Sequence, residues 1–313
     1  SGVSTQRIGA ALQRASLIVA ELVASSALIL RTFFGGEAGI SANRTKVFRL
    51  FDWSFGPQIQ IYYLVAAWTL LAVIAMYALT RTPLGRMCNA VRDNPERVQF
   101  VGYDPHVVRY LAFCFSGFFA GIAGALAAIN FEIANSAYLG AVQSGTVLFA
   151  AYIGGIGFFT GPIVGAIFVT FLSLGLSDLT QVWQLYFGLI FIAVVLFAPG
   201  GITGLLMMHR PLLKAGTFGR VLPSYLITFV PTLAMLTGLI LATEIIVYYA
   251  VHSGGDSQIR AFGVPFNAAN RAIWALSAVL LFGGYWVARK TWTMVGHAWD
   301  EATSGAREQG AIA

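Results

Sequence analysis

Two carboxylates inside long apolar stretches are the first candidates for chemistry in this sequence. Glu21 and Glu244 occupy such positions, whereas Glu132 and Asp178 lie near the ends of stretches, where contact with water is the simpler interpretation. A carboxylate in an apolar environment costs several kcal/mol unless it is paired or hydrated, so it indicates a functional site by default. Neither Glu21 nor Glu244 has an obvious basic partner in a neighbouring stretch, and a proton relay therefore has little support.

Other familiar chemistries are poorly represented. The four histidines are far apart and mostly in predicted loops, and Cys88 and Cys114 have neither a metal-ligand spacing nor the pattern of a disulfide framework. The chain contains no Gly-x-x-x-x-Gly-Lys-Ser/Thr phosphate loop, so it is not expected to hydrolyse ATP itself. We therefore expect no catalytic residue, no metal site and no cofactor in this chain.

The elements that must position the candidate residues are hydrophobic helices. The 313 residues are 58% hydrophobic and only 10% charged, against about 25% charged residues in soluble domains. Apolar runs of roughly 17–25 residues, long enough to cross a bilayer, recur along almost the whole chain. The sequence predicts an all-α, polytopic transmembrane helical bundle of about eight spans, at residues 16–34, 60–80, 109–131, 142–157, 162–178, 182–199, 222–250 and 272–289. The fourth span is short, which leaves a broken or re-entrant segment open.

Lysine and arginine set the predicted orientation. If the loop at 81–109 is cytoplasmic, alternation puts both termini and the 200–221 loop inside as well, together with thirteen of the 19 basic residues. This bias follows the positive-inside rule. The loop at 35–59 departs from it because three basic residues cluster there. The basic residues are scattered through short loops without interleaved aromatic residues, so nucleic-acid binding is not indicated.

The loop between Thr80 and Arg109 predicts two short helices. Residues 85–92 are good helix formers whose small apolar side consists of Met87, Ala90 and Val91. Asn94 can cap the second helix, with Pro95 at its first position, Glu96 in its first turn and Gly102 as its stop. An amphipathic helix pair that carries both signs of charge is suited to docking against another protein. A solvated or headgroup-bound loop is the alternative from these residues alone.

The same loop carries a family resemblance. Residues 85–97, followed by Gly102 and Tyr103, resemble the cytoplasmic loop of LivM-type permeases, the branched-chain amino-acid ABC importer family. Three further segments resemble the family's next span, its Gly-Gly-x-Gly turn and its closing motif, in the family's order: 116–124, 153–162 and 197–202. Together the segments cover roughly residues 16 to 206.

The resemblance implies a permease subunit that moves branched-chain or other hydrophobic amino acids across a bacterial inner membrane. It implies a second permease subunit, two cytoplasmic ATPases that bind the ATP, and a periplasmic substrate-binding protein as partners. The loop helix of such importers inserts into the ATPase, and we carry that coupling role over to Asn89, Ala90, Val91, Arg92, Asp93, Asn94, Pro95, Glu96 and Arg97. We expect aspartate at Ala90 or Val91 to uncouple ATPase stimulation. Family-like positions surround Glu21, which makes it the better candidate for a pore or subunit contact.

Departures from the family pattern define two predicted regions. Residues 1–206 form the family-like permease core, and 207–313 form an extension with two further spans and a cytoplasmic tail. Family members normally begin with several more spans, so we expect the chain to be shortened at its start or to be part of a longer reading frame. A urea or short-amide permease, a secondary transporter and a noncatalytic membrane subunit are the alternatives.

Glycines at helical spacings of three and four predict close packing of helices, because small residues let backbones approach where lipid gives no hydrophobic drive. Static packing is favoured over a hinge at these positions: Gly117, Gly121, Gly124, Gly157, Gly161 and Gly165.

Overall fold

The structure is a computed structural model that describes residues 18–36, 38–41, 43, 56–180, 182–251, 258–261, 264–267 and 270–308. It divides into two compact units, Ser1–Thr146 and Val147–Ala313. Each unit has its own clusters of buried side chains. The predicted boundary between residues 206 and 207 stays a prediction.

The first unit consists of helices and one short pair of strands. Its elements are α1 (Ile18–Ile29), α2 (Arg31–Phe34), β1 (Ile40–Ser41), α3 (Gln58–Arg81), α4 (Pro83–Asp93), α5 (Pro95–Phe100), α6 (Pro105–Phe131), β2 (Ile133–Ala134) and a 3₁₀ helix (Ser136–Leu139). Strands β1 and β2 pair antiparallel. Gln58 at the start of α3 donates a hydrogen bond to Asn130 near the end of α6 at 3.3 Å, so these two long helices run antiparallel.

The boundary between the units lies within α7, and longer helices follow it. The elements are α7 (Ala141–Gly154), α8 (Gly161–Leu179), α9 (Trp183–Phe197), α10 (Gly201–Lys214), α11 (Phe218–Val251), β3 (Gln258–Ala261), β4 (Val264–Asn267), α12 (Arg271–Ala278), a π-helical segment (Val279–Gly283) and α13 (Gly284–Glu308). Pro162 lies in the first turn of α8, as expected for a turn between two helices.

The second unit holds three separate packing regions. Ile153, Val169 and Phe187 form a cluster where α7, α8 and α9 meet. The helix α11 packs along α12, the π-helical segment and α13. A Cβ at Gly238 of α11 would lie 2.4 Å from the nitrogen of Leu281 in the π-helical segment, so the backbones of α11 and this segment touch. The helices α10, α11 and α13 meet around three fully buried residues: Leu212, Val221 and Ala302.

Five helices in the described residues are long and apolar enough to cross a membrane, or six if the bent pair α9 and α10 counts as one span. The all-α, polytopic fold class is therefore confirmed. The predicted spans at 16–34 and 142–157 coincide with shorter apolar helices, α1 and α7. An α-helix rises 1.5 Å per residue, so the 14 residues of α7 reach only about 21 Å, less than the hydrocarbon thickness. Eight full spans are thus not seen in the described residues.

Candidate functional site

Two short helices, α4 and α5, connect the long helices α3 and α6. Thr82 Oγ1 accepts a hydrogen bond from the Gly85 backbone nitrogen at 3.3 Å, and Asn94 Oδ1 accepts one from the Arg97 nitrogen at 3.0 Å. Each helix therefore has a side-chain cap at its N-terminus, and a proline follows each cap in the first helical turn. The predicted helix pair with Asn94 between its members is confirmed.

The inner side of this helix pair is apolar and packs against its own chain. Val91 of α4, Val98 of α5 and Val108 of α6 are all buried, with Val91 only 4% exposed. Four residues of α4 pack around them while partly buried: Leu84, Met87, Cys88 and Ala90. Gly102, at φ +90°, closes the turn that returns the chain to α6. An aspartate at Val91 would therefore break this cluster, so the docking hypothesis needs tests at outward-facing positions.

The outer side of the pair is polar and exposed. Of the nine predicted coupling residues, Val91 is buried, Ala90 and Pro95 are partly buried, and six are exposed: Asn89, Arg92, Asp93, Asn94, Glu96 and Arg97. Phe100, at the end of α5, is 91% exposed, and the sequence analysis did not single it out. Its apolar type in the last turn of the second predicted helix, two residues before Gly102, was the available signal. We define the docking face as these six exposed residues plus Phe100.

The predicted packing glycines fall into two groups. A Cβ at Gly165 would lie 1.9 Å from the Ala150 carbonyl oxygen, and one at Gly161 would lie 1.9 Å from the Gly155 oxygen. These two positions hold α7 and α8 at backbone contact. A Cβ at each of the other four would meet nothing within 4 Å among the described residues: Gly117, Gly121, Gly124 and Gly157. For these four, packing against another helix stays a prediction.

Glu21 lies on α1 beside a cavity of about 370 Å³. The cavity is also lined by Ser25 on the same helix and by Asn135 and Ser136 of the segment after β2. The predicted candidate carboxylate therefore faces polar neighbours from another part of the chain.

Glu244 is buried, 6% exposed, in a hydroxyl cluster of the second unit. Its Oε1 accepts hydrogen bonds from Thr180 Oγ1 at 2.6 Å and from the Tyr186 hydroxyl at 3.0 Å. The Tyr186 oxygen also lies 2.9 Å from Thr243 Oγ1. The carboxylate of Glu244 on α11 thus forms hydrogen bonds with residues at the junction between α8 and α9. Sequence reasoning looked for a basic partner and missed the two hydroxyls.

No group of three or more His, Cys, Asp or Glu residues in the described ranges is arranged to hold a metal ion.

The long apolar helices, by their length and composition, indicate a multi-pass membrane protein. Residues 8–199 match the family described as the branched-chain amino acid transport system / permease component, so the chain belongs to that family.

Individual members of this family and a related permease are similar to the chain at low sequence identity. The chain is 28% identical over 167 residues to the high-affinity branched-chain amino acid transport system permease protein LivM of Escherichia coli (strain K12), over 52% of this chain and 39% of that protein. The LivM protein of Salmonella typhimurium gives the same values. The ribose import permease protein RbsC of Haemophilus influenzae is 28% identical over 137 residues, 42% of either chain. The chain thus spans about two fifths of these relatives, and no solved structure matches it.

Proposed function

We propose that this chain is a translocation subunit of an ABC importer that carries branched-chain or other hydrophobic amino acids across a bacterial inner membrane. Family membership and the similarity to two LivM permeases support this substrate class. With eight crossings, in which the shorter helices α1 and α7 also count, both termini face the cytoplasm in this proposal and thirteen of the 19 basic residues lie inside. The chain is not an enzyme, and partner subunits bind and hydrolyse the ATP.

The docking face on α4 and α5 is the observation that carries this proposal. Its inner side is held rigid by the valine cluster, while its outer side presents charges of both signs around one exposed phenyl ring. Burial of such a ring against a partner contributes about 1.5–3 kcal/mol, and anchors of this kind dominate protein interfaces. The ion pair between Arg92 and Asp93, 3.3 Å apart and exposed, contributes little by itself. Burial of Phe100 against another protein would therefore contribute most of the binding energy of this face. We propose that this protein is the ATPase.

The second permease subunit is assigned to the α6 helix. Gly117, Gly121 and Gly124 lie three and four residues apart, and no described residue lies within 4 Å of a Cβ built on any of them. Small residues at this spacing allow close approach of another helix in lipid. A periplasmic substrate-binding protein delivers the amino acid, and the substrate crosses at the interface between the two permease subunits.

Site-specific cross-linking tests the docking face. A photoreactive amino acid replaces Phe100 in the assembled importer, and the same residue replaces Phe171 of α8 as a control, since Phe171 is 76% exposed on an apolar helix. We expect an adduct with the ATPase subunit from position 100 and none from position 171. An absence of ATPase adducts from position 100, or equal yields from both positions, would reject the docking role.

Import of a sugar is the second candidate, because the chain is also 28% identical to a ribose import permease, although over 137 residues instead of 167. Uptake of radiolabelled leucine and ribose by the same reconstituted complex separates the two substrates. Faster uptake of ribose than of leucine would replace the amino-acid assignment and leave the importer class intact.

A further inference from the structure

The cavity beside Glu21 has one polar end and one apolar end. On α1 it is lined by Glu21, Ala24, Ser25 and Leu28, which follow the three- and four-residue spacing of a single helix face. Seven residues of helix extend about 10 Å, so the carboxylate and the leucine lie at opposite ends of this wall. The other wall consists mainly of small residues after Asn135 and Ser136, namely Ala137, Gly140 and Ala141. This shape fits a small amphipathic molecule.

The short strand pair holds the opposite wall in place. Ala134, directly before Asn135, pairs with Ile40 of β1. A Cβ at Gly39, where φ is +68°, would lie 2.7 Å from the Asn135 Cβ, so only glycine fits against this side chain. The packing therefore fixes the position of the Asn135 Cβ, while its carboxamide can still rotate about the side-chain bonds.

Polar groups in the cavity lining can accept hydrogen bonds. Asn135 Oδ1 is buried and has no hydrogen-bond partner among the described residues. A buried acceptor without a donor is unfavourable, so rotation of this carboxamide toward an entering N–H group is favourable. Among the described residues, no lysine or arginine lines the cavity. The negative charge of Glu21 is therefore not balanced by the described part of the wall.

We infer that this cavity binds the ammonium group of a hydrophobic amino acid, with Glu21 as its counter-ion and the Asn135 and serine oxygens as further acceptors. An ammonium group donates three hydrogen bonds and carries the complementary charge. The apolar end at Leu28 receives the side chain of the substrate. A neutral sugar can donate hydrogen bonds to the carboxylate but has no charge to pair with it. The inference rests on the proposed import of amino acids and adds the residues that contact the substrate.

Leucine uptake by the complete reconstituted importer tests the charge of Glu21. Glu21→Gln keeps the size of the side chain and removes its charge, so we expect initial uptake per assembled complex to fall at least tenfold. Glu21→Asp keeps the charge and should retain more uptake than Glu21→Gln. Asp178→Asn removes a carboxylate from α8, outside the cavity, and should change uptake less than twofold.

Cysteine protection tests occupancy directly. Cys88 and Cys114 are first replaced by serine, and Ala24→Cys, which lines the same cavity and leaves Glu21 in place, is then labelled with the cationic reagent 2-aminoethyl methanethiosulfonate. Leucine should slow this labelling at least fivefold, ribose should not, and labelling of Asp178→Cys should not respond to leucine. Wild-type uptake in Glu21→Gln, or labelling that leucine leaves unchanged, overturns the inference alone. A wild-type complex that takes up no leucine overturns the proposed substrate as well.

Discussion

Alanine at Gly165 should separate α7 from α8. The added Cβ would lie 1.9 Å from the Ala150 carbonyl oxygen, whereas ordinary contact begins near 3.4 Å. The helices must therefore move apart by about 1.5 Å, because both atoms belong to rigid backbone. Overpacking of this kind costs about 1–3 kcal/mol, and the upper end applies here. Alanine gains about 1 kcal/mol of helix propensity over glycine, which leaves a net loss of about 2 kcal/mol.

Gly117→Ala is the matched control for Gly165→Ala. It is the same substitution in another apolar helix, at a position where the Cβ meets nothing within 4 Å. The same gain in propensity should make this variant neutral or more stable by up to about 1 kcal/mol. The two variants should therefore differ by about 3 kcal/mol in the free energy of unfolding.

Thermal unfolding of the isolated chain in detergent, followed by tryptophan fluorescence, measures this difference. A shift of about 2–4 °C in the midpoint corresponds to each kcal/mol in domains of this size class. Equal midpoints for the two variants would refute the assignment of Gly165 to a backbone contact.

Two further outcomes follow from the buried clusters. Val91→Asp should disrupt the helix pair and lower the yield of inserted protein, because it buries a charge. Arg92→Asp should keep the yield and lower ATPase stimulation. Equal yields of the two variants would contradict the burial of Val91. Tyr186→Phe should lower stability by about 1–2 kcal/mol in detergent, because Glu244 and Thr243 lose a hydroxyl partner. An additive double-mutant cycle of Tyr186→Phe with Glu244→Gln would contradict their coupling.

The helix pair α4 and α5 was predictable because its signals are local. Asn94 caps a helix that begins one residue later, and Gly102 ends it by a backbone conformation that glycine adopts readily. No distant part of the chain is needed for either effect. The inward direction of Val91 depended on contacts with α6 and could be judged only in part from the apolar pattern.

The glycine pattern shows what spacing alone leaves undecided. Gly117 and Gly165 both belong to series with helical spacing, yet within the described ranges only Gly165 touches another helix. Spacing identifies a face on which close approach is possible, but the neighbour that fills it depends on the tertiary and quaternary arrangement.

The surroundings of Glu244 depended on long-range contacts. Thr180 precedes it by 64 residues and Tyr186 by 58. A search for opposite charges misses such partners, since neutral hydroxyls satisfy a buried carboxylate by hydrogen bonding. Likewise, Asn135 and Ser136, which line the same cavity as Glu21, come from a distant segment, so the sequence identified the carboxylate and not its cavity.

ATP-dependent uptake of leucine into proteoliposomes tests the proposed import of amino acids most directly. The vesicles contain this chain with its partner permease and ATPases, and the substrate-binding protein is supplied on the side opposite the ATPase. We expect leucine to accumulate above its external concentration when ATP is present, and not when a non-hydrolysable analogue replaces the ATP. Leucine entry at the same rate without ATP, or no entry above that of protein-free vesicles, would contradict it.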